Sequence, residues 1–222
     1  MHSRFSLVST GLFFALLISG TYAGGGLAQT KEVVKAPVAA DSKEEFVLDA
    51  DHTGIVFEIP HLVISSVEGR FKKFTGGFTL NEKALKEKKS DALSVNAKIE
   101  VASIDTGVAK RDDHLRSPDF FNVKKFPSMS FVSKSITYGS GNKFQLNGDL
   151  TIKDQTKPVV LDVDYKGSVS AYDKKRAAFK ATTTFNRKDF GLGWNDLVEA
   201  GPVVGDEVTV TLTVQGLRKS DL

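Results

Sequence analysis

His52, His61 and His114 are the residues of this sequence best suited to hold a metal, because neutral imidazole is the commonest protein ligand for one. Their setting argues against that role. The chain has 0 cysteines, and loops and strands separate the three histidines, so their spacing matches no compact zinc signature. They are expected instead to form hydrogen bonds that pin an insert or meet a ligand head group. Asp112 and Asp113 could serve as acid and base, yet adjacent positions on a short helix point in different directions and commonly cap it or pair with Lys and Arg. The triplet Asp189-Phe190-Gly191 occurs in kinases, but the glycine-rich phosphate loop and the catalytic loop that belong with it are both missing. No catalytic residue, metal site or chemically acting cofactor is expected, and an enzyme is the weakest functional reading.

The carboxylates and His114 belong to a charged excursion, "KRDDHLRSPDFFNVKKFP", at residues 110–127. Residues 109–116 can form about two helical turns. Ser117-Pro118 reads as a cap followed by proline at the first helical position, so a second turn would carry Phe120 and Phe121. Pro127 then ends the segment. Physically this is a plug or flap with a charged top and an aromatic underside. Asp113, His114, Arg116 and Asp119 are expected to fasten it by hydrogen bonds, with head-group recognition as the alternative role.

Around this excursion the dominant signal is period two, the mark of strands with one face in water and the other in an apolar interior. "LSVNAKIEV" sets Leu93, Val95, Ala97, Ile99 and Val101 against Ser94, Asn96, Lys98 and Glu100. The same alternation runs through Phe144, Leu146, Leu150 and Ile152, through Val159, Leu161, Val163 and Tyr165, and through Val208, Val210, Leu212 and Val214. Less regular strands are expected at 46–48, 55–59, 67–80, 129–138 and 177–185, roughly eight or nine in all. Turn signals at 139–142, 153–158 and 171–175 are short enough to join antiparallel neighbours. Helix is expected only in the segment after Leu80 and in the excursion. The class is all-β with small helical inserts, and alternation alone leaves sandwich and barrel both open. An eight-strand barrel can be filled by side chains or hold one small ligand, and with an apolar inward face the guest would be greasy.

The whole chain sets the frame for that domain. Its 222 residues carry 30 Lys and Arg against 27 Asp and Glu, a formal net charge of +3 with the signs interspersed. Such a surface offers no footprint for nucleic acid, though the lysines at 86–89 and 124–125 could touch an anionic membrane surface transiently. Residues 1–28 have the anatomy of a secretory signal peptide: His2 and Arg4, an apolar run at 7–18 shorter than the ~20 residues of a spanning helix, then small residues. Cleavage after Ala23 or after Ala28 fits equally, and an uncleaved anchor is the alternative. Residues 29–45 read as a flexible spacer, and the folded domain is expected to occupy 46–222. Without cysteine the exported protein has neither disulfides nor an N-terminal lipid attachment site. Its oligomeric state is open, with a homodimer among the options.

Several ordered blocks resemble the YceI-like family. They are "DADHTGIVFEIPHL", "VEGRFKKFTGGF", "SIDTGVAKRDDHLRSPDFFNVKKFPSMSF", "LNGDLTIKDQTKPVVLDV", "FNRKDFGLGWN" and "VGDEVTV". The resemblance implies a lipocalin-like antiparallel β-barrel of about eight strands, and an exported, periplasmic protein that binds a polyisoprenoid or related lipid. Isoprenoid, quinone tail or long acyl chain would be cargo. One departure is Asp154, where many relatives have glycine in a turn that aspartate also suits. Another is Trp194, a large ring near a loop that could reshape the ligand space.

Phe57, Ile59, Phe71, Phe74, Phe78, Phe120, Phe121, Phe131, Phe144, Leu146, Phe179, Phe185 and Trp194 are the candidate ligand-binding residues. Some would only fill core. The competing picture is an exported barrel packed solid, acting through its surface as an interaction or stress-related protein; a large apolar cavity would count against it.

Overall fold

The computed structural model describes residues 42–62, 64–195, 197–198 and 201–222. The segment read as a signal peptide, and the spacer as far as residue 41, lie outside the described residues. The first strand, β1 (Glu44–Leu48), starts two residues ahead of Phe46, because Glu44 is held by ion pairs to Lys175 and Arg218.

The next strands are β2 (Gly54–His61), β3 (Ser65–Phe71) and β4 (Phe74–Leu80), followed by the short helix α1 (Glu82–Lys86). Then come β5 (Leu93–Glu100), β6 (Ile104–Asp105) and helix α2 (Ala109–Arg116). The long strands β7 (Ser128–Tyr138), β8 (Lys143–Ile152), β9 (Gln155–Ala171) and β10 (Lys174–Asn186) follow. A two-strand ribbon, β11 (Leu197–Val198) with β12 (Gly201–Pro202), precedes β13 (Glu207–Arg218).

Pairing runs β1, β4, β5, β7, β8, β9, β10, β13 and returns from β13 to β1, a closed barrel of eight antiparallel strands. Three of its walls are strands broken in two. Both β1 and β2 lie along β13, at Phe46↔Arg218 and Val56↔Thr211; β3, paired with β2, continues β4, paired with β1, and β6, paired with β3, continues β5, paired with β4. The single run expected over 67–80 is therefore interrupted at Lys72 and Lys73, whose charges face water. The turn expected at 153–158 is also tighter than its composition suggested. Only Lys153 and Asp154 turn, and residues 155–158 already belong to β9. The left-handed residue there is Lys153 at φ 57°, so aspartate at 154 needs no special conformation.

Closure puts the apolar phase of each strand inside. Ala177, Phe179, Ala181 and Thr183 of β10 are buried, whereas Ser94, Asn96 and Lys98 of β5 are exposed. Apolar inside and polar outside is the reverse of a barrel whose outer face meets lipid. Two glycines make room for large rings: a Cβ on Gly69 would come within 2.3 Å of the Phe57 ring, and one on Gly148 within 2.5 Å of the Phe131 ring.

One end of the barrel is sealed. Asn81 caps α1 by accepting from the Ala84 amide at 2.9 Å, and α1 presses Ala84 and Leu85 into the core. Phe46 stacks on Phe78 with centroids 4.9 Å apart, and Phe78 meets Phe179 edge to face at 5.2 Å. Outside these rings the Tyr165 and Ser168 hydroxyls donate to Glu82 at 3.1 and 2.8 Å, and Lys175 pairs with Glu82 and Glu44. Burial, with the nearby Glu82 carboxylate, pushes the Tyr165 phenol up to about 12. Burial alone would raise Glu82, but hydrogen bonds from Lys175 and Ser168 hold its carboxyl below the usual range.

Candidate functional site

The opposite end carries two excursions, α2 with residues 117–127, and the described residues between β10 and β13. Beneath them a cavity of about 620 Å³ runs down the barrel to a floor at Phe78 and Phe179. Its size falls within the usual range for small-molecule sites. The wall is apolar, with Val95, Ala97, Val210, Leu212 and Val214 among its lining residues. This accounts for a feature of β13, where Val208, Val210, Leu212 and Val214 are only partly buried although their phase points inward. They face the cavity.

Of the candidates read from sequence, Phe57, Ile59, Phe71, Phe78, Phe120, Phe121, Phe131, Leu146, Phe179, Phe185 and Trp194 line this space. Phe144 and Phe74 are placed elsewhere. Phe144 has the inward phase but sits at the sealed end, buried with its ring 6.1 Å from Tyr138, where the barrel is packed. Phe74 follows the Lys72–Lys73 break and packs against the core opposite Ile99 without lining the cavity.

The flap is fastened more deeply than its charges suggested. Arg116 donates to the carbonyls of Ala102 and Ile104 at 2.9 and 2.7 Å and to Asp113 at 3.0 Å, and His114 is 3.1 Å from Asp119, so the expected contacts form. The principal anchor is Asp112. It is 6% exposed and accepts from both the amide and the hydroxyl of Thr106, at 2.9 and 2.6 Å. Arg111 completes this knot by donating to the Thr106 hydroxyl and carbonyl at 2.7 and 2.8 Å. Ser117 accepts from the Asp119 amide at 3.3 Å, but residues 118–121 close as a hydrogen-bonded turn rather than as helix. That turn drives Phe120 under the flap and sets Phe121 edge-on to Phe71 at 6.1 Å.

Trp194 joins the two excursions. Its ring lies 4.8 Å from His114 and 5.1 Å from Phe120, and its carbonyl accepts from Arg187 at 2.9 Å. Arg187 is a cavity-lining residue absent from the candidates drawn from the sequence. Its side chain, 2% exposed, lines the cavity and also donates to the carbonyls of Gly205, at 2.8 Å, and Leu192. Burial lowers its affinity for a proton, opposed by Asp206 nearby. The signal was present in the strand phase: Phe179, Ala181, Thr183 and Phe185 point inward, and Arg187 is next in that series.

The histidines serve separate places. His52 is 2.8 Å from Asp49 on the outside, His61 lines the cavity beside its bridge to Val204, and His114 packs on Trp194. Among the described residues no three His, Cys, Asp or Glu side chains converge as a metal site would require.

The barrel and its motifs have counterparts among known proteins. A family model described as the YceI-like domain matches residues 46–216. A UPF0312 protein of Shewanella baltica is 36% identical over 187 residues, which covers 83% of this chain and 92% of that protein. Among solved structures, BcnA of Burkholderia cenocepacia superposes with a TM-score of 0.66 at 25% identity, covering 76% of this chain and 98% of BcnA. A polyisoprenoid binding domain from Saccharophagus degradans gives a TM-score of 0.57 at 14% identity, over 80% of this chain and 99% of that domain, a likeness of fold.

Proposed function

Given that this chain belongs to the YceI-like family, we propose that it is a periplasmic carrier that holds a polyisoprenoid or long acyl chain inside its barrel. The observation that supports this reading is the apolar cavity of about 620 Å³, closed at the α1 end and reached from the flap end. At about 30 Å³ per water-sized group, such a volume takes on the order of 20 chain carbons. Each buried methylene contributes roughly 0.8 kcal/mol relative to water, and about the same in a bilayer, so the barrel does not extract lipid by greasiness alone. Its service is to shield the chain across an aqueous compartment, with export by the leader at residues 1–28. The polyisoprenoid binding domain of Saccharophagus degradans shares the barrel fold.

Trp194, the single tryptophan of the chain, stands at the mouth and reports occupancy. Titrating the mature, detergent-free protein with a brominated C18 fatty acid and with geranylgeraniol is expected to change its emission saturably, near one equivalent. A folded protein whose emission answers to neither chain would refute the carrier reading.

A further inference from the structure

The permanently charged side chains lining the cavity are of one sign. Lys110, Arg111 and Arg187 line it together with His61 and His114, and no carboxylate is among the described lining residues. The acids nearby are engaged outside it: Asp112 with Thr106, Asp113 with Arg116, Asp119 with His114, and Asp206 with Lys188 at 2.8 Å. A second observation concerns Arg187. Its Nη2 is buried without a hydrogen-bond acceptor, and the nearest carboxylate oxygen, on Asp206, is 3.6 Å away. Lys110 is exposed and has no ion pair among the described residues, while Arg111 spends Nε and Nη2 on Thr106. A space for a neutral hydrocarbon needs no such groups. Cations beside an apolar cavity keep part of their field unscreened, and an oxyanion brought to them gains charge-assisted hydrogen bonds that a neutral head does not.

Building on the carrier reading, we infer that the cargo has an anionic head, a carboxylate or a phosphate monoester, held at the mouth by Lys110, Arg111 and Arg187 while its chain fills the barrel. The tail enters first, since the far end is closed by Phe78, Phe179 and α1. Trp194 lies between the two cationic elements, packed on His114 of the flap and accepting through its carbonyl from Arg187.

The test compares heads on constant chains with the mature protein: oleic acid, oleyl alcohol and oleylamine in one series, geranylgeranyl phosphate and geranylgeraniol in the other. At least one acid is expected to bind about tenfold or more tighter than its alcohol, with the amine weakest. Whichever acid prevails separates carboxylate from phosphate. Lys110→Glu, on an exposed side chain whose loss leaves the core intact, is expected to erase most of the acid-over-alcohol preference. Equal affinities for acid and alcohol, or a preference for the amine, would overturn the anionic head and leave the carrier reading standing. Failure of every chain to bind would defeat both.

Discussion

Ala97→Trp is expected to weaken chain binding about 100-fold while leaving the barrel as stable as before. Ala97 lies midway along β5, faces the cavity and is only partly buried, so the added indole enters open space rather than a packed core. Overpacking, which costs about 1–3 kcal/mol in a filled interior, therefore has little to act on. The ring takes room otherwise open to roughly four methylenes, and at about 0.8 kcal/mol each the loss approaches 3 kcal/mol, or about 100-fold in affinity. Lys98→Trp provides the control, because its neighbouring side chain points outward into water. Affinities measured by displacement of a bound chain, with melting temperatures alongside, check both halves. A variant that unfolds, or one that binds as tightly as the parent, would mean that the space beside Ala97 is not where the chain resides.

Arg187→Met should carry the largest stability cost of any single change at the mouth. The guanidinium is buried and serves the carbonyls of Gly205, Leu192 and Trp194, which tie the excursion between β10 and β13 to the end of β10. Methionine relieves the cost of burying a charge but leaves those acceptors in place without donors. Orphaned buried carbonyls outweigh the relief, and the expected loss is about 3 kcal/mol in denaturant unfolding. Lys188→Met, beside it but exposed and paired with Asp206, should cost under about 0.5 kcal/mol. A loss for Arg187→Met as small as that of Lys188→Met would show that the excursion holds together without its buried cation.

The strands were legible because alternation is a local signal. A residue such as Val95 or Val210 declares its face through its neighbours; closure is not written in that alternation, which a sandwich shares, and the barrel is what the resemblance to the YceI-like family implies. Strand breaks were less legible, since Lys72 and Lys73 interrupt the ladder without glycine or proline to mark the place. The site divided along the same line. Aromatic residues at inward phase reached the cavity where the barrel is open, but Phe144, of equal phase, did not, because distance along the barrel axis is not written in a period of two. The flap's exposed pairs, Arg116 with Asp113 and His114 with Asp119, could be read from charge alone. Asp112 could not be told from Asp113 without β6 and Thr106 in place, and Arg187 was hidden by the expectation that arginine faces water.

Whether the barrel carries a chain-like lipid is tested most directly by native mass spectrometry, followed by organic extraction, of the mature protein purified from its own envelope without detergent. The expected result is a discrete added mass that extracts as one isoprenoid or acyl species of the size the cavity admits, with an acidic head. A bare polypeptide mass, together with no uptake when prenyl and acyl chains are offered, would contradict it.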